Sequence, residues 1–161
     1  MIVVADQLVK HWIVGSFERD TIHSVVGDWL RIDFIHNGGG LFGYFQGSAL
    51  AFALVTVVVA ILIAAMEISW GWRSWFVTLA LGLLMGGAIG NLIDRVRLGY
   101  VVDFVDIGIG RWRFYTFNVA DMAVTSFFLL MMGMWILAPR LLSGGSGEAG
   151  AGADGEGPAA E

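Results

Sequence analysis

Ser48-Ala-Leu-Ala-Phe-Ala-Leu-Val-Thr-Val-Val-Val-Ala-Ile-Leu-Ile-Ala-Ala-Met66 decides the fold: nineteen consecutive residues without a charge. As a helix at 1.5 Å per residue this run is about 28 Å long, matching a hydrocarbon core of about 30 Å. Ser74–Ile93 is a second such segment, with Arg73 before it and Asp94-Arg95 after it. Met122–Pro139 is a third, bounded by Asp121 and Arg140. None carries a polar stripe, so none reads as an amphipathic surface helix. Composition agrees, because 57% of the 161 residues are hydrophobic and 14% charged, against about a quarter charged in soluble domains. The chain is therefore expected to be an integral membrane protein of one domain. Its net charge of -5 is dominated by Glu148, Asp154, Glu156 and Glu161 near the end. Without them nine basic residues face ten acidic ones, which excludes a basic nucleic-acid-binding protein. With no cysteine there is no disulfide framework, thiol nucleophile or cysteine-metal site.

Working outward, Met1–Gly15 would span only about 22 Å as a helix, too short to cross. It lacks the basic start and long apolar stretch of a signal peptide. It is read as the outer end of a first transmembrane helix whose beginning lies upstream. Ser16–Gln46 is polar, and Thr21–Ile35 within it carries β-branched residues in partial alternation, so short strands are expected. Asn37-Gly38-Gly39-Gly40 then reads as a loop. Gly99–Phe117 again mixes β-branched and aromatic residues with glycines and reads as strand and turn. From Ser143 the chain is Gly, Ala, Ser and acid, expected to be a disordered tail at 143–161 behind a domain at 1–142. Short connections between the charge-free helices put both polar segments on one side of the membrane. Most arginines also lie on that side, which by the positive-inside rule would make it cytoplasmic. Trp70, Trp72, Trp75 and Trp135 suit interfacial anchoring.

The chemistry is expected where polar residues meet helix ends. Ser74–Ile93 carries Gly82, Gly86 and Gly90 at four-residue spacing, a smooth ridge for a neighbouring helix. Asn91, Asp94 and Arg95 follow, then Asp103 and Asp106, then Asn118 and Asp121. Ionisable groups at membrane depth are costly and point to function by default. Plainer readings stand beside this one. Asp94-Arg95 could be an interfacial ion pair ending a helix. Asp121 could complement a helix dipole with Asn118 as its cap. Asp6 and Lys10 form a helix-supporting i,i+4 pair. His11, His23 and His36 lie in no metal-ligand spacing, and no metal or other cofactor is expected. Asp103 lies between Val102 and Phe104 and is the hardest to explain as a solvated acid. If Asp103 and Asp121 are brought together they cannot both ionise easily, so they share a proton. One then acts as base toward water and the other as acid toward a carbonyl, the aspartic-protease arrangement.

Five motifs occur in order: Asp6-Gln7-Leu8-Val9-Lys10, Asn37-Gly38-Gly39-Gly40-Leu41-Phe42-Gly43, Gly86-Gly87-Ala88-Ile89-Gly90-Asn91-Leu92-Ile93-Asp94-Arg95, Gly99-Tyr100-Val101-Val102-Asp103-Phe104 and Phe117-Asn118-Val119-Ala120-Asp121. Together, over about residues 1–140, they resemble the lipoprotein signal peptidase, or signal peptidase II, family. The resemblance implies an all-α membrane protein, a four-transmembrane-helix bundle with a small extracytoplasmic β-rich platform. It places that bundle in the bacterial inner membrane with both termini cytoplasmic, against the arginine count. It implies an aspartic endopeptidase that removes signal peptides from diacylglyceryl-modified prolipoproteins, cutting before the lipidated cysteine. The family's catalytic aspartates fall on Asp103 and Asp121. Its supporting residues fall on Asp6, Lys10, Asn37, Gly39, Asn91, Arg95 and Asn118, while Asp94 and Asp106 read as structural. The expected partners are prolipoprotein substrates and membrane lipids, with the chain a monomer. Gly40 and Tyr115-Thr116 depart from the family's pattern without touching the two acids. A CDP-alcohol phosphatidyltransferase is disfavoured, because Asp106 follows Asp103 after only two residues and the upstream half of that motif is missing. The non-enzymatic alternative is a small polytopic transporter or helix-bundle partner protein with a polar intramembrane cavity.

Overall fold

The computed structural model describes residues 1–38, 49–70 and 75–143. Within them helices run as α1 (Ile2–Ser16), α2 (Ala49–Trp70), α3 (Trp75–Leu98) and α4 (Val119–Ser143). The strands are β1 (Ile22–Val26), β2 (Leu30–Asn37), β3 (Val101–Ile109) and β4 (Trp112–Arg113). Three helices are long and apolar enough to cross a membrane, over Leu50–Ser69, Trp75–Leu98 and Val119–Leu137. Leu54, Val58, Ile61 and Leu62 on α2 and Phe128 on α4 face outward and exposed. Contiguous apolar surface on that scale belongs in lipid rather than water. The chain is a multi-pass membrane protein.

The helix ends differ from the sequence reading in instructive ways. α3 continues past Asp94-Arg95 to Leu98, so those charges lie within its last turns rather than ending it. α4 begins at Val119 instead of Met122 because Asn118 caps it. Pro139 does not end α4, which runs to Ser143. Gly39, Gly40, Trp72 and the tail from Gly144 lie outside the described residues.

The fold is mostly helical rather than all-α, with one four-stranded antiparallel sheet in the order β1-β2-β3-β4. Its strands come from the two polar segments expected to hold them. Pairing shifts between Ile32↔Val105 and Ile35↔Asp103, so β2 carries one extra residue beside Asp103. Such a bulge re-aims side chains locally. Ile13 of α1, Phe34 of β2 and Val102 and Phe104 of β3 form a buried core where the sheet meets the helices. Gly99, at φ +78, donates its N–H to the Arg95 carbonyl at 3.1 Å. This left-handed residue ends α3 and turns the chain into β3.

The glycines of α3 are used differently from the expected ridge. Gly86 seats α1, where an added Cβ would lie 2.7 Å from the Ile2 Cβ. Gly90 seats both α1 and α4, with Asp6 and Ala120 against it. Gly82 has open space around it, whereas a Cβ on Gly87 would collide with the Ala120 carbonyl oxygen. The close approach of α4 therefore depends on Gly90, which is on the four-residue stripe, and on Gly87, which is one residue off it.

Two compact units divide the chain, Met1–Phe128 and Leu129–Glu161. The first holds α1, α2, α3, the sheet and the start of α4. In the second the described residues are helical to Ser143. The site below lies wholly in the first.

Candidate active site

The N-terminus of α4 organises the site. The first N–H groups of any helix lack partners within it. Here the Asp121 N–H donates to Asn118 Oδ1 at 3.0 Å, and Asp121 Oδ2 accepts the Asn118 N–H at 3.3 Å. This reciprocal pair is a capping box. The Ala120 N–H donates to Asp6 Oδ1 at 2.9 Å, so α1 caps α4 from outside. The plain reading of Asp121 and Asn118 as acid and cap is thus realised, and it fixes both side chains.

Lys10 sits 3% exposed among acids. Its ammonium has three donors, and it lies 2.9 Å from Asp6 Oδ2, 2.9 Å from Asp94 Oδ2 and 3.0 Å from Asn91 Oδ1. Asp94 also accepts the Val102 N–H at 3.1 Å, tying the start of β3 to α3. Its buried partner is Lys10 on another helix, not the adjacent Arg95. Asp6 and Asp94 thereby share one ammonium and are occupied in structure.

Asp103 and Asp121 have different partners. Phe117 and Val105 exchange backbone hydrogen bonds of 2.8 and 3.0 Å, which brings Asn118 alongside β3. Its Nδ2 then donates to Asp103 Oδ1 at 2.6 Å. Asn37, at the end of β2, donates to Asp103 Oδ2 at 2.9 Å. Asn118 Nδ2 also reaches Asn91 Oδ1 at 3.0 Å, and Asn91 Nδ2 donates to Asp121 Oδ1 at 2.8 Å. Two amides therefore link the carboxylates, and Lys10 orients the linking Asn91. Burial pushes the Asp103 carboxyl up, and the Asp121 charge pushes it further. Hydrogen bonds from Asn37 and Asn118 and the Lys10 charge oppose this, leaving it at about 7. An acid at that value is part protonated and part ionised near neutrality, as a shared proton requires.

The remaining expected residues divide. Arg95 stacks its guanidinium over the Phe52 ring, 5.7 Å from the centroid, and its charge lies within electrostatic reach of Asp121 and Asp103. Asp6, Lys10, Asn37, Asn91, Asn118 and Asp121 converge with Asp103, and Gly39 lies outside the described residues. Two neighbours named in the sequence were given no role there. The Gln7 amide lies 2.9 Å from Asp94 Oδ1 and 3.2 Å from the Gly90 carbonyl. Its signals were its place in the Asp6-Gln7-Leu8-Val9-Lys10 motif and its polarity in an apolar helix. Tyr115 has its phenol pushed up by burial, then by the Asp121 and Asp103 charges. A groove of about 280 Å³ opens beside Asp121, walled by Phe114, Tyr115, Phe117 and Met122 and reaching Thr125 and Ser126. The site thus offers two linked acids at the edge of an apolar groove.

Known proteins share this arrangement of sequence and fold. The family described as signal peptidase (SPase) II matches residues 1–137. The lipoprotein signal peptidase of Moorella thermoacetica is 39% identical over 142 residues, covering 88% of each chain. That of Halothermothrix orenii is 36% identical over 137 residues, covering 84% of this chain and 90% of its own. A bacterial membrane enzyme solved by the in meso method at 2.3 Å superposes with a TM-score of 0.75 at 28% identity, covering 95% of this chain and 90% of the other. A second, at 1.9 Å, gives 0.74 at 32% identity, covering 81% and 84%. On its sequence and on the fold built around its acids, the chain belongs to the signal peptidase II family and is a membrane peptidase.

Proposed function

We propose that the chain is an aspartic endopeptidase that removes signal peptides from diacylglyceryl-modified prolipoproteins, with Asp103 and Asp121 as its catalytic acids. The observation that carries this is the Asn118–Asn91 amide link, which holds the two carboxylates as one unit while Asp6 and Asp94 are engaged by Lys10. The ionised carboxylate takes a proton from water as its oxygen attacks the scissile carbonyl, and the protonated partner hydrogen-bonds the carbonyl oxygen. The tetrahedral intermediate then collapses, the C–N bond breaks, and a carboxyl proton passes to the leaving amine. No covalent enzyme intermediate and no metal enter these steps. Asn37, Asn91 and Asn118 are positioning residues, and Arg95 supplies positive charge beside the pair.

In this reading α2, α3 and α4 cross the bacterial inner membrane, α1 is the outer end of a further span, the C-terminus is cytoplasmic, and the sheet and site face outward. Residues 1–142 form the peptidase domain and act as a monomer. The apolar signal helix and diacylglyceryl group lie in lipid against the bundle, supplying binding energy remote from the reaction. The test follows a lipidated prolipoprotein on a gel with purified Asp103→Asn and Asp121→Asn. Each variant is expected to fold and to lose cleavage on the order of 10²–10⁴-fold. Wild-type turnover in either overturns the assignment. A transporter would show no cleavage to lose.

A further inference from the structure

The sheet has an end that the proposed chemistry does not use. The turn between β3 and β4 is tied to that between β1 and β2: the Gly108 N–H donates to the Trp29 carbonyl at 3.0 Å, and Arg113 Nη1 donates to the Asp28 carbonyl at 2.9 Å. From this braced end project Trp29, Ile109 and Trp112, with 52, 69 and 81% of their surfaces exposed. Arg111 beside them is exposed as well. Large apolar side chains held out together in this way mark a contact surface.

The depth of that surface follows from α4. Its span begins at Val119, and Ser126 lies seven residues further, about 10 Å along the helix. Phe114, directly after β4, lines one groove with Thr125 and Ser126. The β4 edge therefore runs beside the site end of a membrane span. Trp112 is two residues before Phe114, within about 7 Å along an extended chain. We infer that the β3–β4 turn and the β4 edge form a lipid-docking rim, seated in the headgroup–acyl boundary of the leaflet on the site side. Trp112, Ile109 and Phe114 enter the boundary, and Arg111 meets anionic headgroups. Tryptophan with a basic neighbour is the composition that this zone favours. The rim holds β3, and Asp103 with it, at a fixed height above the acyl chains. This inference is independent of the chemistry proposed for Asp103 and Asp121.

The chain has no cysteine, so Trp112→Cys and Ile109→Cys each provide one site for a nitroxide label. The full-length protein is reconstituted in vesicles of equal parts phosphatidylcholine and phosphatidylglycerol. Labels at Phe128→Cys, on the exposed face of α4, and Glu18→Cys, in the charged turn after α1, set the ends of the scale. At 109 and 112, collisions with oxygen are expected to outweigh those with a water-soluble nickel chelate, as at 128. The oxygen-to-chelate ratio should stand severalfold above that at 18. Chelate accessibility at both positions equal to that at 18 overturns the rim.

Discussion

Asp103 and Asp106 stand three residues apart on β3, with 1% and 3% of their surfaces exposed, and face opposite sides of the pleat. Asp106 is gripped by Arg31 Nη2 at 2.6 Å and Arg113 Nε at 2.7 Å. Burial pushes its carboxyl up, but the hydrogen bonds from Arg113 and Arg31 outweigh this and hold it below the ordinary value. Among the described residues Asp103 accepts hydrogen bonds from the neutral amides of Asn37 and Asn118 and feels a second acid, and it rises to about 7. A buried acid in contact with cations is settled in one charge state and serves structure. A buried acid given amides and a like charge keeps a proton that can move near neutral pH, which is what acid–base work needs.

That contrast can be broken most sharply by paired substitutions. Asp103→Asn should abolish cleavage while leaving a folded protein. Asp106→Asn should keep turnover per folded molecule while lowering stability by about 1.5–3 kcal/mol, because two guanidinium groups lose a buried carboxylate and retain the half-exposed Asp28. Thermal unfolding in detergent beside the gel assay reads both, and equal activity losses would erase the distinction. Lys10→Met tests the third arrangement, two acids sharing a single buried ammonium. It leaves Asp6 and Asp94 uncompensated and should destabilise by about 3–5 kcal/mol, seen as loss of monodisperse protein on size exclusion. A variant as stable as wild type would show that Lys10 does not balance these acids.

A smaller effect concerns pH. The folded value of Asp103 lies above its ordinary 3.8, so the folded state binds the proton more tightly. Its contribution to stability is full below 3.8 and is lost as pH rises through about 7. Asp106 has the opposite sign: its contribution is present above 3.8 and is lost as pH falls through its lowered value. The midpoint of unfolding should therefore fall between pH 4 and 8, and Asp103→Asn should flatten that fall. An unchanged slope in the variant would assign the titration to another group. The smallest effect is expected at Gly82, which has open space around it. Gly82→Ala should leave stability within about 0.5 kcal/mol, while Gly87→Ala forces α4 off α3 and impairs both folding and cleavage.

Much of this was legible because the signals are local. A charge-free run is read without knowing its neighbours, and the β-branched stretches before Asn37 and after Gly99 announced strands. Asp103 drew notice as an acid between two apolar residues. The site's internal order was not legible, because its contacts join residues far apart in sequence: Lys10 with Asn91, Asp6 with Ala120 and Asn37 with Asp103. Spacing within α3 suggested Gly82 as part of the ridge, yet the crossing of α4 selects Gly87. The neighbouring residues Asp94-Arg95 looked like a pair, yet Asp94 turns to α1. The role of Gln7 gave almost no sign, since a polar residue next to an acid has many uses.

From the chain alone it was determined that three segments enter lipid, because some twenty apolar residues without charge have no other stable surroundings. Their order and the motifs between them also bounded where acids could gather. Only the tertiary structure decided what each acid does. Asp6, Asp94, Asp103, Asp106 and Asp121 carry the same carboxyl group, and the cation, amide or helix end brought against it sets its role.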